Sequence, residues 1–199
     1  MVFVLSVNAQ VRFGIKAGIN LPNVTAKSDG TKEDTKMSFG FHVGTIADWS
    51  LSESFSVQPG LLFSTKGFKT TTVMQGISVD ITETVNYLEI PINAMYKLPV
   101  GSAKILIFGG PYFGYALSGK AKGTAMGVSD TQTLHIGSSD TDDLKAMDLG
   151  LNFGAGVEIS NFVVTAQYGL GLANLSPDTS FTEKNNVIGI SVGFLIGGK

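Results

Sequence analysis

The sequence contains no cysteine, which excludes disulfide bridges and thiolate metal sites as supports of the fold. Long hydrophobic runs are also missing. Between Gln10 and Lys199 no stretch reaches the roughly 18 consecutive apolar residues of a spanning helix, because Gly, Ser, Thr and charged residues interrupt each one. Charge is sparse, at 15% of residues and a net −2. With no run of Lys or Arg, there is no basic surface for nucleic acid. Histidine is limited to His42 and His135, too few and too separated for a metal site without further ligands. No serine stands at a diagnostic spacing from either histidine, so neither a catalytic set nor a cofactor is expected. Gly154-Ala-Gly156 and Gly169-Leu-Gly171 lack the strand-to-helix context of a nucleotide loop and read as structural glycines.

What the chain does have is apolarity spread in alternation: 43% hydrophobic residues, 25 Gly and 13 Phe over 199 residues, with a mean hydropathy of +0.24. Period-two patterning predicts eight strands. They cover Val11 to Asn20, Met37 to Trp49, Ser54 to Phe68, Val79 to Leu98, Ala103 to Leu117, Met147 to Glu158, Phe162 to Ala173, and Ile188 to Ile196. In the fifth both faces are apolar, so its orientation is left open. The connections alternate in length. Those at Leu21 to Lys36, Lys69 to Ser78, Ser118 to Lys145 and Asn174 to Lys184 are long, and those at Ser50 to Glu53, Pro99 to Ser102 and Ser160-Asn161 are tight. Long and short connections in turn are expected of an all-β, up-and-down antiparallel transmembrane barrel with short periplasmic turns and longer extracellular loops. An even count lets the first strand pair with the last and removes the exposed edges. Residues 10–199 read as that single barrel domain. Residues 1–9, ending Val7-Asn-Ala9, read as the remnant of a secretory signal peptide with an apolar core and a small-residue cleavage site, although the usual basic start is missing.

Alternation alone does not say which face looks outward. The face opposite the apolar one collects Arg12, Lys16, Asp48, Glu89, Lys97, Asp148 and Glu158 among many glycines. That near balance of sign suits a narrow interior in which ion pairs satisfy one another, filled by side chains and without an open pore. Glu89, mid-strand and two residues from Pro91, is expected to pair with Arg12, Lys16 or Lys97, with a proton or ligand role as the alternative reading. Aromatic residues near strand ends (Phe13, Trp49, Phe55, Phe68, Tyr96, Phe162, Phe194) are candidates for interfacial girdles. Two other readings stay open: a soluble lipocalin-like calyx with its apolar face inward around a small ligand, and a narrow small-solute channel.

Four segments, Phe13-Gly-Ile-Lys-Ala-Gly-Ile-Asn20, Tyr87-Leu-Glu-Ile-Pro-Ile92, Gly109-Gly-Pro-Tyr-Phe-Gly-Tyr115 and Asn152-Phe-Gly-Ala-Gly-Val-Glu158, fall in an order that resembles the PorT-like outer-membrane β-barrel family. The likeness covers nearly the whole chain from Val11 onward. It implies an eight-stranded barrel in a bacterial outer membrane and supplies no catalytic residues. The chain departs from the pattern in ending Leu195-Ile-Gly-Gly-Lys199 and not on an aromatic residue. The expectation is a monomeric barrel surrounded by outer-membrane lipid. Its role is structural or interactive, with the long loops contacting surface or secretion-system proteins.

Overall fold

The computed structural model describes residues 10–74, 76–139 and 141–197; the segment read as a signal remnant lies outside them. Eight strands form the barrel: β1 (Gln10–Ser28), β2 (Gly40–Ser50), β3 (Phe55–Met74), β4 (Ile77–Val100), β5 (Ala103–Ala125), β6 (Met147–Ile159), β7 (Phe162–Gly171) and β8 (Phe181–Ile196). Each pairs antiparallel with its sequence neighbours, and β1 pairs with β8 from Phe13↔Ile196 to Ser28↔Phe181, which closes the ring. Closure leaves no open sheet edge around the ring, the condition a membrane imposes on strands.

Side chains alternate across the wall. Leu88, Ile90, Ile92, Tyr96 and Leu98 of β4 point outward and are exposed, while Tyr87, Glu89, Asn93, Met95 and Lys97 point inward and are buried. The outward apolar row from Leu88 to Leu98 runs about 33 Å along the strand, or about 25 Å of height at a tilt near 40°, the depth of an outer-membrane apolar band. A calyx needs the reverse arrangement, with apolar side chains inside. In β5 the inward set is Leu106, Phe108, Tyr112 and Ala116 and the outward set Ile105, Ile107, Phe113, Tyr115 and Leu117. This decides the faces that the sequence left open.

Three of the long connections are largely strand. β1 runs on to Ser28 and turns at Asp29-Gly30, and β5 runs on to Ala125 and turns at Met126-Gly127 into a further strand, Val128–Leu134. Both turns have positive φ at their two central residues, as a two-residue hairpin of matching twist requires. The Thr-rich segment expected to be a loop is the paired end of β3 and β4, with Thr70↔Ile81 and Thr72↔Val79. On β3 the run Lys69 to Thr72 has no apolar residue on either face, so period two gives no signal there although threonine favours strands; on β4 the alternation is already present at Ile77, Val79 and Ile81. Residues 33–38 run back along the upper edge of β1: Glu33 N donates to Ala26 O, Thr35 Oγ1 to Val24 O and Ser38 N to Pro22 O. The second strand begins at Gly40, and Met37 instead pairs with Phe68 in a short bridge over β3.

At the opposite end the turns are tight. Gly101 and Ser160 take positive φ there. Aromatic residues gather just above them, with Phe55 stacked near Tyr96 at 5.0 Å and Phe162 near Phe194 at 4.9 Å between ring centroids, and with Trp49 exposed beside them at the end of β2. Phe68 lies above the band and takes no part in this girdle.

Candidate functional site: the lumen and its cap

Seen from the periplasmic end, the interior is a stack of layers. The first is a charge cluster. Arg12 forks onto Glu158 through Nη1–Oε1 at 2.7 Å and Nη2–Oε2 at 2.9 Å, and its Nη2 also reaches Asp48 Oδ2 at 2.6 Å. Lys97 Nζ donates to the same Asp48 oxygen at 2.6 Å, and Lys104 lies 3.5 Å from Glu158 at the rim. A bidentate guanidinium–carboxylate pair fixes both partners, so the fork joins β1 to β6 across the lumen. Above it sits an apolar layer of Ile46, Met95, Leu106, Phe108, Val163 and Leu195.

The next layer is polar and has two parts. Lys16 donates to Gln167 Oε1 at 3.1 Å, and His42 bridges Asn20 Oδ1 and Ser191 Oγ at 2.8 Å each. Beside them Lys66 Nζ lies 2.6 Å from Glu89 Oε2 and 3.0 Å from Asp148 Oδ2. The same ammonium stands 4.1 Å from the centroid of the Tyr112 ring, a geometry that adds cation–π attraction. Asp148 also accepts from Asn185 Nδ2 at 2.9 Å and from Tyr112 Oη at 3.3 Å.

All seven charged residues singled out from the sequence therefore lie on the inner wall, but in two separate groups. Glu89 does not pair with Arg12, Lys16 or Lys97. Its partner is Lys66, which the sequence reading left out. Parity could have found it, because Lys66 follows Ser64 by two on the inward face of β3. With it, the three cations Arg12, Lys16 and Lys97 become four, matching the four carboxylates Asp48, Glu89, Asp148 and Glu158. Lys16 is buried against an amide, so the balance of sign is met over the lumen as a whole and not pair by pair. Among the described residues, the interior holds a void of about 10 Å³ lined by residues including Lys66 and Glu89 and another of about 10 Å³ lined by residues including Lys16 and Phe108. A space that small holds about one water molecule.

The outer mouth is capped. Leu144 and Leu175, from the connections after β5 and β7, are fully buried on Val85, Tyr87 and Ala116. Backbone bonds tie the cap down, Lys145 N donating to Leu175 O and Leu175 N to Glu183 O. Glu83 and Glu183 lie at this level, above the apolar band, where their outward neighbours are Thr82, Thr84, Thr182 and Lys184. Burial raises both carboxyls above the ordinary 4.5, and for Glu83 the charges of Glu183 and Asp143 raise it further. The folded cap thus binds more protons than the unfolded chain once pH exceeds 4.5, and loses stability as pH rises through the raised values. Amide exchange at Lys145 and Leu175, corrected for intrinsic rate, should be faster at pH 9 than at pH 5. Glu83→Gln should flatten that difference; an unchanged pH dependence in the variant would remove the carboxyl pair as its cause.

A family model described as an outer membrane protein beta-barrel domain matches residues 8–176. The chain belongs to this family. Its home is the bacterial outer membrane, with the apolar outer wall in the lipid, as the wall's height and alternation require. The matched residues stop before β8, which nonetheless pairs with both β7 and β1. Among solved structures, the outer membrane protein OprG from Pseudomonas aeruginosa is similar in fold, with a TM-score of 0.51 at 11% identity, covering 94% of this chain and 96% of that one. Ail, the attachment invasion locus protein of Yersinia pestis, aligns with a TM-score of 0.44 at 18% identity, covering 93% of this chain and 98% of that one. No curated protein matches the sequence.

Proposed function

We propose that this outer-membrane barrel is a surface-interaction protein whose lumen serves as a structural core and whose paired strands above the membrane present the contact surface. The observation that carries this reading is the filling of the lumen. Among the described residues, paired charges, an apolar layer and an apolar cap fill the interior, with voids of about 10 Å³ between the layers. The charged residues Arg12, Lys16, Asp48, Glu89, Lys97, Asp148 and Glu158, joined by Lys66, hold strands together across the interior and take no part in catalysis. The projecting ends of β3, β4 and β5, with Val128–Leu134, form a paired surface beyond the band. The PorT-like segments within this family favour surface or secretion-system proteins as its partners.

Two measurements test this. In planar bilayers the purified protein should give no ion-conducting steps, and steady single-channel currents would overturn the sealed lumen in favour of a narrow channel. A photo-crosslinking residue at Thr131 in intact cells should capture protein partners, while one at the lipid-facing Val192 should not. Equal, lipid-only products at both positions would contradict the interaction role.

A further inference from the structure

Outside the barrel, where β1, β7 and β8 pass beneath residues 32–37, the outer wall carries a groove of about 230 Å³. Its position is defined by the wall's own pattern. On β8 the outward apolar row Ile196, Phe194, Val192, Ile190, Ile188 gives way to Asn186, and on β1 the row that ends at Leu21 gives way to Asn23 and Thr25. The groove straddles that change. Its lower floor is Leu21 and Ile188 with the ring of Tyr168, continuous with the lipid-facing band, and its upper walls are Asn23, Lys32, Glu33 and Asp34.

The polar end is not self-satisfied. Tyr168 Oη donates to Asn186 Oδ1 at 3.2 Å, and Asn186 Nδ2 donates to Thr25 Oγ1 at 2.8 Å, so these groups hold one another. Asn23 Oδ1 is buried and accepts a hydrogen bond from no described protein group, an arrangement that costs free energy unless a donor reaches it. Beside it the carboxylates of Glu33 and Asp34 add acceptors, against Lys32 among the lining residues. An amphiphile with a donor-rich, uncharged head meets these demands. A head carrying only phosphate would face two carboxylates.

We infer that this groove binds a glycolipid of the outer leaflet, its sugar hydroxyls donating to Asn23, Glu33 and Asp34 and its acyl chain lying on Leu21 and Ile188. The inference rests on the outer-membrane location and is independent of whether the loops bind protein partners.

The test uses the detergent-purified barrel with a monogalactosyl diacylglycerol, and with phosphatidylethanolamine and phosphatidylglycerol in parallel, read by native mass spectrometry. A one-to-one adduct with the glycolipid is expected at concentrations where the phospholipids give little. Asn23→Leu should lower its occupancy about tenfold, the loss that follows from about one buried hydrogen bond. The paired loop change Glu33→Gln with Asp34→Asn should lower it as well, and decides alone if Asn23→Leu does not fold. Ile107→Ala, on the outward face of β5, should leave it unchanged. Equal retention of phospholipid, or undiminished glycolipid binding in the groove variants, would overturn the assignment.

Discussion

Replacing Lys66 with methionine should lower the unfolding free energy of the barrel by about 3–5 kcal/mol, the cost of leaving buried charges without their partner. Lys66 neutralises both Glu89 and Asp148 in the middle of the lumen, and Asp148 is completely buried. Methionine fills nearly the same volume, so the loss is electrostatic and not a cavity effect. Glu89→Gln should cost less, about 1–3 kcal/mol, because Lys66 keeps Asp148 and the amide still accepts a hydrogen bond. Urea unfolding of the refolded protein in micelles, followed by tryptophan emission, gives both values. The order matters more than the size: a Glu89→Gln variant less stable than Lys66→Met would refute Lys66 as the hub of this cluster. Neither variant should prevent membrane insertion, since the outward face is untouched.

Val192→Lys should destabilise the membrane-inserted barrel by about 2–4 kcal/mol, the cost of a cation near the bilayer midplane on a lipid-facing strand. Val192 is 55% exposed in the middle of the outward row of β8, between Ala17 and Val164 on the neighbouring strands. The same change at Val128, 74% exposed but above the band, should fall within about 0.5 kcal/mol of the parent, as surface changes do. Unfolding measured in lipid vesicles separates them. Equal, small effects at both positions would mean that the apolar wall faces water.

Much of this was legible in the sequence, and the limits have physical causes. The eight strands, their closure and the tight turns follow from alternation and from the rhythm of short and long connections, because a wall between lipid and a polar lumen imposes period two on every residue it contains. Beyond the lipid that constraint lapses. On β3 and β5 the runs Lys69 to Thr72 and Ser118 to Thr124 are polar or small on both faces and so read as loops, although Thr70 and Thr72 sit in a regular ladder, and upper β1 keeps only the short inward row Pro22, Val24 and Ala26. β5 hid its faces for the opposite reason: Leu106 and Phe108 belong to an apolar layer inside the lumen, so both sides of that strand are hydrophobic. The charged inner wall was visible residue by residue, but its pairings were not. Glu89 shares the inner wall with Arg12, Lys16 and Lys97 without an ion pair to any of them, whereas Lys66 meets it because β3 and β4 are adjacent, with Lys66 opposite Val85 and Leu62 opposite Glu89. The cap and the outer groove depend on loop paths, which the sequence encodes only in turns such as Asp29-Gly30.

The chain's single tryptophan offers the most direct test of a closed barrel with its apolar wall in lipid. Trp49 points outward at the periplasmic end of β2, 48% exposed, at the end of the barrel that also carries the Phe55–Tyr96 and Phe162–Phe194 pairs, where aromatic side chains meet the membrane interface. In vesicles of brominated lipid its emission should be quenched, more strongly by bromines near the headgroup end of the acyl chain than by bromines near the methyl end. Emission that ignores brominated lipid and responds only to a water-soluble quencher would contradict the account.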